Sequence, residues 1–134
     1  MTSTRASGLA GKRILIVEDE FYLADDLARA IQKCGAEVVG PVGSLRDAQE
    51  VLEDTRIDSA ILDFNLKGEM AFPIADRLQT DGIPFVIASG YTGAAIPDRF
   101  KSAPHIEKPF DTAAVLQSID QLLRTAGAIP AALE

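Results

Sequence analysis

The chain has 134 residues, 47% of them hydrophobic and 25% charged, a composition that fits one globular domain and leaves no room for a second. Its net charge of −7 and its lack of any basic run argue against nucleic-acid binding, which depends on clustered Lys and Arg. No apolar stretch approaches the length that spans a bilayer, and residues 1–11 lack the apolar core of a signal peptide. We therefore expect a cytoplasmic protein without nucleic-acid or membrane partners.

The first strand and helix follow a short tail. Residues 1–11 are small and polar, so they are expected to remain loose. Residues 14–17 (Ile-Leu-Ile-Val) form a β-branched run too short for a helix, and they predict a strand that ends at three acidic residues. A helix is predicted from Glu20 to a stop at Gly35, because apolar residues recur at helical spacing between them.

A second strand and helix come next. Residues 37–41 predict a strand, and Pro41 favours an edge position because proline cannot donate to a neighbouring strand. Ser44 and Asp47 have the spacing of a capping box, which predicts the start of a helix.

The third repeat of this pattern begins with a short apolar strand at residues 60–62. A helix is predicted over about residues 69–81, with Met70 on its buried face and Pro73 tolerated in its first turn. Residues 84–88 form another continuous apolar run and predict the fourth strand.

The segment after the fourth strand is poor in helix formers. Residues 91–103 contain glycine and proline and leave room for little more than two turns, so a shortened fourth helix is expected. Residues 106–109 predict a short fifth strand. Asp111 is placed to cap a last helix that ends at Gly127, and residues 127–134 are expected to be a frayed tail.

Five alternations of strand and helix predict a doubly wound α/β fold with a five-stranded parallel sheet. In the flavodoxin-like strand order 2-1-3-4-5, strands one and three are neighbours at the point where the winding reverses, and ligands bind at that edge. The order brings several polar side chains to that edge: Glu18, Asp19, Asp63, Ser89 and Lys108.

The residues at this edge suit phosphoryl transfer. Asp63 alone would indicate only a turn, but three carboxylates in one cleft require a cation or protons to relieve their repulsion. Mg²⁺ is the natural candidate, because it takes oxygen ligands and no histidine or cysteine here favours zinc. Lys108 supplies a positive charge and Ser89 supplies a hydroxyl. Transfer of a phosphoryl group to a carboxylate nucleophile needs both.

Over roughly residues 12–126 the chain resembles a receiver domain of the bacterial two-component response regulators. The resemblance rests on four motifs in order, each at a strand end: the acidic pair Glu18-Asp19, the phosphoacceptor aspartate Asp63, the hydroxyl residue Ser89 and the pair Lys108-Pro109.

The resemblance implies a role for each residue. Asp63 would take a phosphoryl group from a phosphohistidine on a histidine kinase or histidine phosphotransferase, and the domain would then change the surface it presents to an unknown downstream protein. The Mg²⁺ ligands would be Glu18, Asp19, Asp63 and the backbone carbonyl of Asn65; Ser89 and Lys108 would sense the phosphate, and the bond before Pro109 would be cis.

Residues 84–91 (Pro-Phe-Val-Ile-Ala-Ser-Gly-Tyr) are similar to a PFxFATGY-like motif of alphaproteobacterial single-domain regulators, with Ile87 and Ser89 in place of its second Phe and its Thr. Tyr91 is therefore a candidate switch residue. His105 stands where most receivers have an aromatic switch, although a half-exposed polar role is the simpler interpretation. Residues 90–104 are predicted to be the least ordered part of the domain before phosphorylation.

Three other functions fit parts of the pattern. A metal-dependent phosphohydrolase would turn over small phosphate esters, but Asn65 stands where a second catalytic aspartate would be expected. A pseudo-receiver scaffold would bind partners without phosphorylation, and a flavin module would need a phosphate-cradling loop in place of Glu-Asp-Glu. In the preferred interpretation the protein is not an enzyme, and its own chemistry is limited to self-phosphorylation and slow autodephosphorylation.

Overall fold

The computed structural model describes residues 8–90 and 96–133, with side chains described as far as residue 125. One five-stranded sheet has the order β2-β1-β3-β6-β7, all parallel, and this confirms the predicted 2-1-3-4-5 winding. The elements in chain order are β1 (Arg13–Val17), α1 (Phe21–Lys33), β2 (Glu37–Val42), α2 (Leu45–Asp54), β3 (Ser59–Leu62), β4 (Asn65–Leu66), β5 (Glu69–Met70), α3 (Phe72–Thr80), β6 (Phe85–Ser89), β7 (His105–Glu107) and α4 (Thr112–Leu133).

The sheet is covered on both faces, which is why its central strands are apolar throughout. Alternate residues of β1 enter different cores: Leu15 and Val17 pack with α2 and α3, whereas Ile14 and Ile16 pack with α1 and α4. All four side chains are fully buried. With both faces occupied, the ends of the strands are left as the place for a polar site.

The start of α3 differs from the prediction. Residues 69–70 pair antiparallel with residues 65–66 as a small hairpin, β4–β5, outside the main sheet. The helix begins at Phe72, with Pro73 in its first turn, and Met70 is a half-buried strand residue. The predicted helix began too early because the spacing of apolar residues does not reveal the two-residue turn at Lys67 and Gly68 or the short strand that follows it.

The structure describes part of each predicted tail. Leu9 is only 2% exposed, and the Gly11 amide donates to the Gly35 carbonyl at 2.9 Å, so residues 8–11 are anchored to the fold. At the other end, α4 continues through Gly127 to Leu133. In the part of the chain that the structure describes, no helix could span a membrane.

The shortened fourth helix is a single 3₁₀ turn, Asp98–Phe100, within the described part of the segment between β6 and β7. Phe100 is fully buried and packs edge to face against Phe64 and Phe85, at ring-centroid distances of 5.5 and 6.4 Å. Arg99 reaches back to Asp76 on α3 with two hydrogen bonds of 2.8 and 3.1 Å. The described part of this segment is thus held to the core by the Phe100 ring and to α3 by the Arg99–Asp76 pair and by the Gln79 side chain, which donates to the Arg99 carbonyl at 2.9 Å.

Candidate functional site

Backbone pairing continues one residue beyond the strands and delivers the polar side chains to one edge of the sheet. The Asp63 amide donates to the carbonyl of Val17, and the Lys108 amide donates to that of Ser89, both at 2.9 Å. These bonds extend the parallel register of β1, β3, β6 and β7 into the loops. Glu18, Asp63 and Lys108 each follow their strand directly, and Asp19 is the next residue after Glu18. The geometry therefore brings these four side chains together, as the strand order predicted.

Three carboxylates form the floor of the site. Glu18 and Asp63 are each only 4% exposed, and Asp19 is half-buried beside them. One oxygen from each lies within 4.8 Å of the others. Carboxylates at this separation, without histidine or cysteine, are a donor set for a hard divalent cation such as Mg²⁺.

The loop after β3 orients the Asp63 carboxylate. Asp63 Oδ1 accepts a hydrogen bond from the Asn65 amide at 3.0 Å, and Asn65 Oδ1 accepts one from the Gly68 amide at 2.7 Å. Two short polar side chains thereby hold the loop in a fixed turn. The carbonyl of Asn65 belongs to this turn.

Lys108 pairs with two of the carboxylates. Its Nζ donates to Asp63 Oδ2 at 2.9 Å and to Glu18 Oε2 at 3.0 Å, and it lies 3.5 Å from Glu20 Oε2. The side chain is only 16% exposed. The peptide bond between Lys108 and Pro109 is cis, as the resemblance implied.

One lysine does not balance this many acids, and the pKa values reflect it. Burial raises the pKa of Glu18 to about 7, with a further contribution from the Asp63 charge, against hydrogen bonds from the Glu20 amide and Lys108. Burial alone would lower the pKa of Lys108, but its hydrogen bonds to Asp63 and Glu18 raise it. The site therefore has capacity for a second positive charge, which would displace the proton from Glu18.

The other predicted residues lie around this centre. Ser89 is fully buried at the end of β6, directly before Gly90. His105 is half-buried at the start of β7, and its Nε2 is buried without a hydrogen-bond partner among the described residues. Tyr91 lies outside the described residues.

An open pocket of about 400 Å³ rises above the carboxylates. Glu20 and Lys67 also line the pocket, and neither was predicted from the sequence as a site residue. The acidic run after β1 contained a signal for Glu20, and the turn residues after Asp63 contained one for Lys67. The lining residues are Asp19, Glu20, Asp63, Asn65, Lys67, Gly90 and Lys108.

Fold and site together define a class: a flavodoxin-like α/β domain whose ligand-binding edge carries a buried acidic cluster paired with a lysine. No family model matches the chain. SdrG from Sphingomonas melonis Fr1, also solved in a BeF3-activated conformation, is 37% identical, and its solution structure aligns over 84% of this chain and 97% of its own with a TM-score of 0.70.

Relatives found by sequence are also regulatory or sensory transduction proteins. The transcriptional regulatory protein PdtaR of Mycobacterium tuberculosis is 26% identical over 122 residues, which are 88% of this chain. The sensory transduction protein LytT of Bacillus subtilis is 30% identical over 111 residues, which are 80% of this chain. The matches span 60% of PdtaR and 46% of LytT. The chain belongs to the receiver-domain family of two-component response regulators and is a phosphoacceptor signalling module.

Proposed function

We propose that Asp63 is the phosphoacceptor and that its donor is a phosphohistidine on a histidine kinase or a histidine phosphotransferase. One observation carries this assignment: Asp63 is a buried carboxylate held by Asn65 and Lys108, yet it lines an open pocket. A nucleophile needs this combination of fixed orientation and access. The kinase partner makes the cytoplasm the expected site of action.

The metal site that fits the donor set consists of Glu18, Asp19, Asp63 and the Asn65 carbonyl. The three acids are supported as ligands because one carboxylate oxygen from each lies within 4.8 Å of the other two. Bound Mg²⁺ would supply positive charge to the carboxylates and to the oxygens of the transferring phosphoryl group. Glu18 must lose its proton for this role, since cations bind the carboxylate form.

In the transfer, an Asp63 oxygen forms a new bond to phosphorus as the bond from phosphorus to the imidazole nitrogen breaks. The bonding electron pair leaves with the imidazole. Lys108, which already donates to Asp63 Oδ2, would turn to the phosphoryl oxygens, and the Ser89 hydroxyl would approach them from the end of β6. These movements would alter the surface that the domain presents and thereby change binding of a downstream protein, with Tyr91 and His105 as candidate switch residues.

Intact mass after incubation with Mg²⁺ and acetyl phosphate tests the assignment. The wild type should gain the mass of one phosphoryl group and lose it slowly by autodephosphorylation. Asp63→Asn should gain none, because an amide is not a nucleophile of this kind. A label that persists in Asp63→Asn, or that forms equally well in EDTA, would refute the assignment.

A further inference from the structure

Lys67 occupies a backbone conformation that its side chain disfavours. It forms, with Gly68, the two-residue turn between β4 and β5, and its φ is 54°. Among the described residues it is the one non-glycine with positive φ. Turns of this kind favour Asn, Asp or Gly, so the turn itself gives no reason for a lysine. Such outliers often mark functional positions.

The turn is fixed relative to the phosphoacceptor. The Asn65 side chain accepts from the Gly68 amide, while the Asn65 amide donates to Asp63. Leu66, the neighbour of Lys67, is only 3% exposed and packs into the core with α2 and α3. The backbone of Lys67 is therefore held in a fixed turn next to Asp63, and Lys67 and Asp63 line the same pocket.

Two lysines line this pocket, and their charges differ in availability. Lys108 is bound to Glu18 and Asp63 and is largely buried. Lys67 is exposed, and no ion pair or side-chain hydrogen bond joins it to another described residue. An anion that approaches Asp63 from solvent would therefore meet the charge of Lys67 first.

Resting on the proposed role of Asp63, we propose that Lys67 is a specificity-determining residue that binds the phosphoryl oxygens of the incoming donor and favours donors of higher negative charge. With acetyl phosphate, the bond from phosphorus to the acetate oxygen breaks, its electron pair leaves with acetate, and an Asp63 oxygen bonds to phosphorus. The donor carries its full negative charge as it enters the pocket, where an ammonium at the pocket wall attracts it.

The test compares two donors at pH 7 in low salt and saturating Mg²⁺: doubly charged acetyl phosphate and singly charged phosphoramidate. Saturation matters because loss of a lysine would also strengthen metal binding and mask the effect. For an assumed separation of about 7 Å in water, a unit charge contributes about RT per donor charge, which is about threefold for a single charge and about sevenfold for a double charge. Lys67→Asn should therefore slow labelling of Asp63 about sevenfold with acetyl phosphate and about threefold with phosphoramidate.

Three variants separate charge from structure. Lys67→Asn suits the positive φ better, so it should raise the melting temperature while it slows labelling, a combination that a structural role would not give. Lys67→Arg should retain the wild-type donor preference. Lys33→Asn changes net charge equally at the far end of α1, about 20 Å along the helix, and should leave both rates unchanged.

In 1 M KCl, where the screening length is about 3 Å, the donor preference that the Lys67 charge confers should vanish. Equal labelling rates for Lys67→Asn and wild type, or equal slowing with both donors, would overturn the role of Lys67. The proposed function would still stand if the wild type is labelled and Asp63→Asn is not. A wild type that takes no label from either donor would overturn both.

Discussion

Glu18 couples the charge of the site to the stability of the fold. Its pKa is about 7 in the folded state and near its ordinary 4.5 when unfolded, because folding buries it beside Asp63. The folded state thus binds the proton more tightly. The stabilisation that this proton provides is complete below pH 4.5 and is lost as the pH rises through about 7.

The expected result for the metal-free protein is a free energy of unfolding that falls between pH 5 and pH 8. The slope for one proton is at most about 1.4 kcal/mol per pH unit. Glu18→Gln should flatten this slope, since it cannot titrate. Urea unfolding in EDTA at several pH values measures both proteins; identical slopes would show that Glu18 is not the titrating group.

Lys108 holds the carboxylates in the absence of metal. Lys108→Ala should still fold but should lose about 1–3 kcal/mol in EDTA, because two buried carboxylates would keep their burial cost without their partner. Arg46→Ala, which removes an exposed partner 3.6 Å from Glu50, should cost little. Chemical denaturation of both variants makes the comparison. A cost for Lys108→Ala no larger than that for Arg46→Ala would contradict this role.

At the scale of elements, the anchored 3₁₀ turn alters the expectation for the segment before β7. The amides of Phe100, Lys101 and Ala103 donate to carbonyls at 2.9–3.1 Å, and the ring of Phe100 lies in the core. We therefore expect these amides to be protected from hydrogen exchange even before phosphorylation. Protection of these amides differs from the sequence-based prediction of low order over residues 90–104; residues 91–95 lie outside the described residues.

Hydrogen exchange of Arg99→Ala tests the anchor. Loss of the two bonds to Asp76 and of the guanidinium 4.5 Å above the Phe100 ring should lower protection at Lys101 and Ala103 and leave β1 and β3 unchanged. Phe100→Ala should instead destabilise the whole domain by about 3–5 kcal/mol, as expected for a buried aromatic ring. Unchanged exchange in Arg99→Ala would place the anchor in Phe100 alone.

For the whole molecule, metal binding and folding should be linked. A ligand that binds only the folded state at 100 times its Kd adds about 2.7 kcal/mol of stability. We expect Mg²⁺ to raise the melting temperature, more at pH 8 than at pH 6, because Glu18 must release its proton first. Calorimetry at both pH values measures the effect.

The matched control replaces the acidic pair. Glu18→Ala combined with Asp19→Ala should abolish the Mg²⁺ effect on melting while the metal-free domain stays folded, since removal of crowded like charges relieves repulsion. A Mg²⁺ effect that survives this replacement, or that is independent of pH in the wild type, would argue against the assigned metal site.

The sequence by itself determined the strands, their winding and the residues at their ends. Runs such as residues 14–17 and 60–62 are apolar on both faces, and only a covered parallel sheet satisfies that pattern. Given the flavodoxin-like strand order, Asp63 and Lys108 lie at one edge, because the carboxyl ends of parallel strands coincide. Asp63, Glu18, Asp19 and Lys108 were therefore accessible from the sequence alone.

Only the tertiary structure decided how much charge each group keeps and which lysine is available. The raised pKa of Glu18 depends on its burial and on the nearby charge of Asp63, and the Lys108 hydrogen bonds to Asp63 and Glu18 span 45 and 90 residues of chain. The turn residues after Asp63 indicated a turn, but the β4–β5 pairing and the positive φ of Lys67 were not predicted, because neither leaves a periodic signal. Local pattern encodes elements, whereas charge balance depends on distances between residues that are remote in the chain.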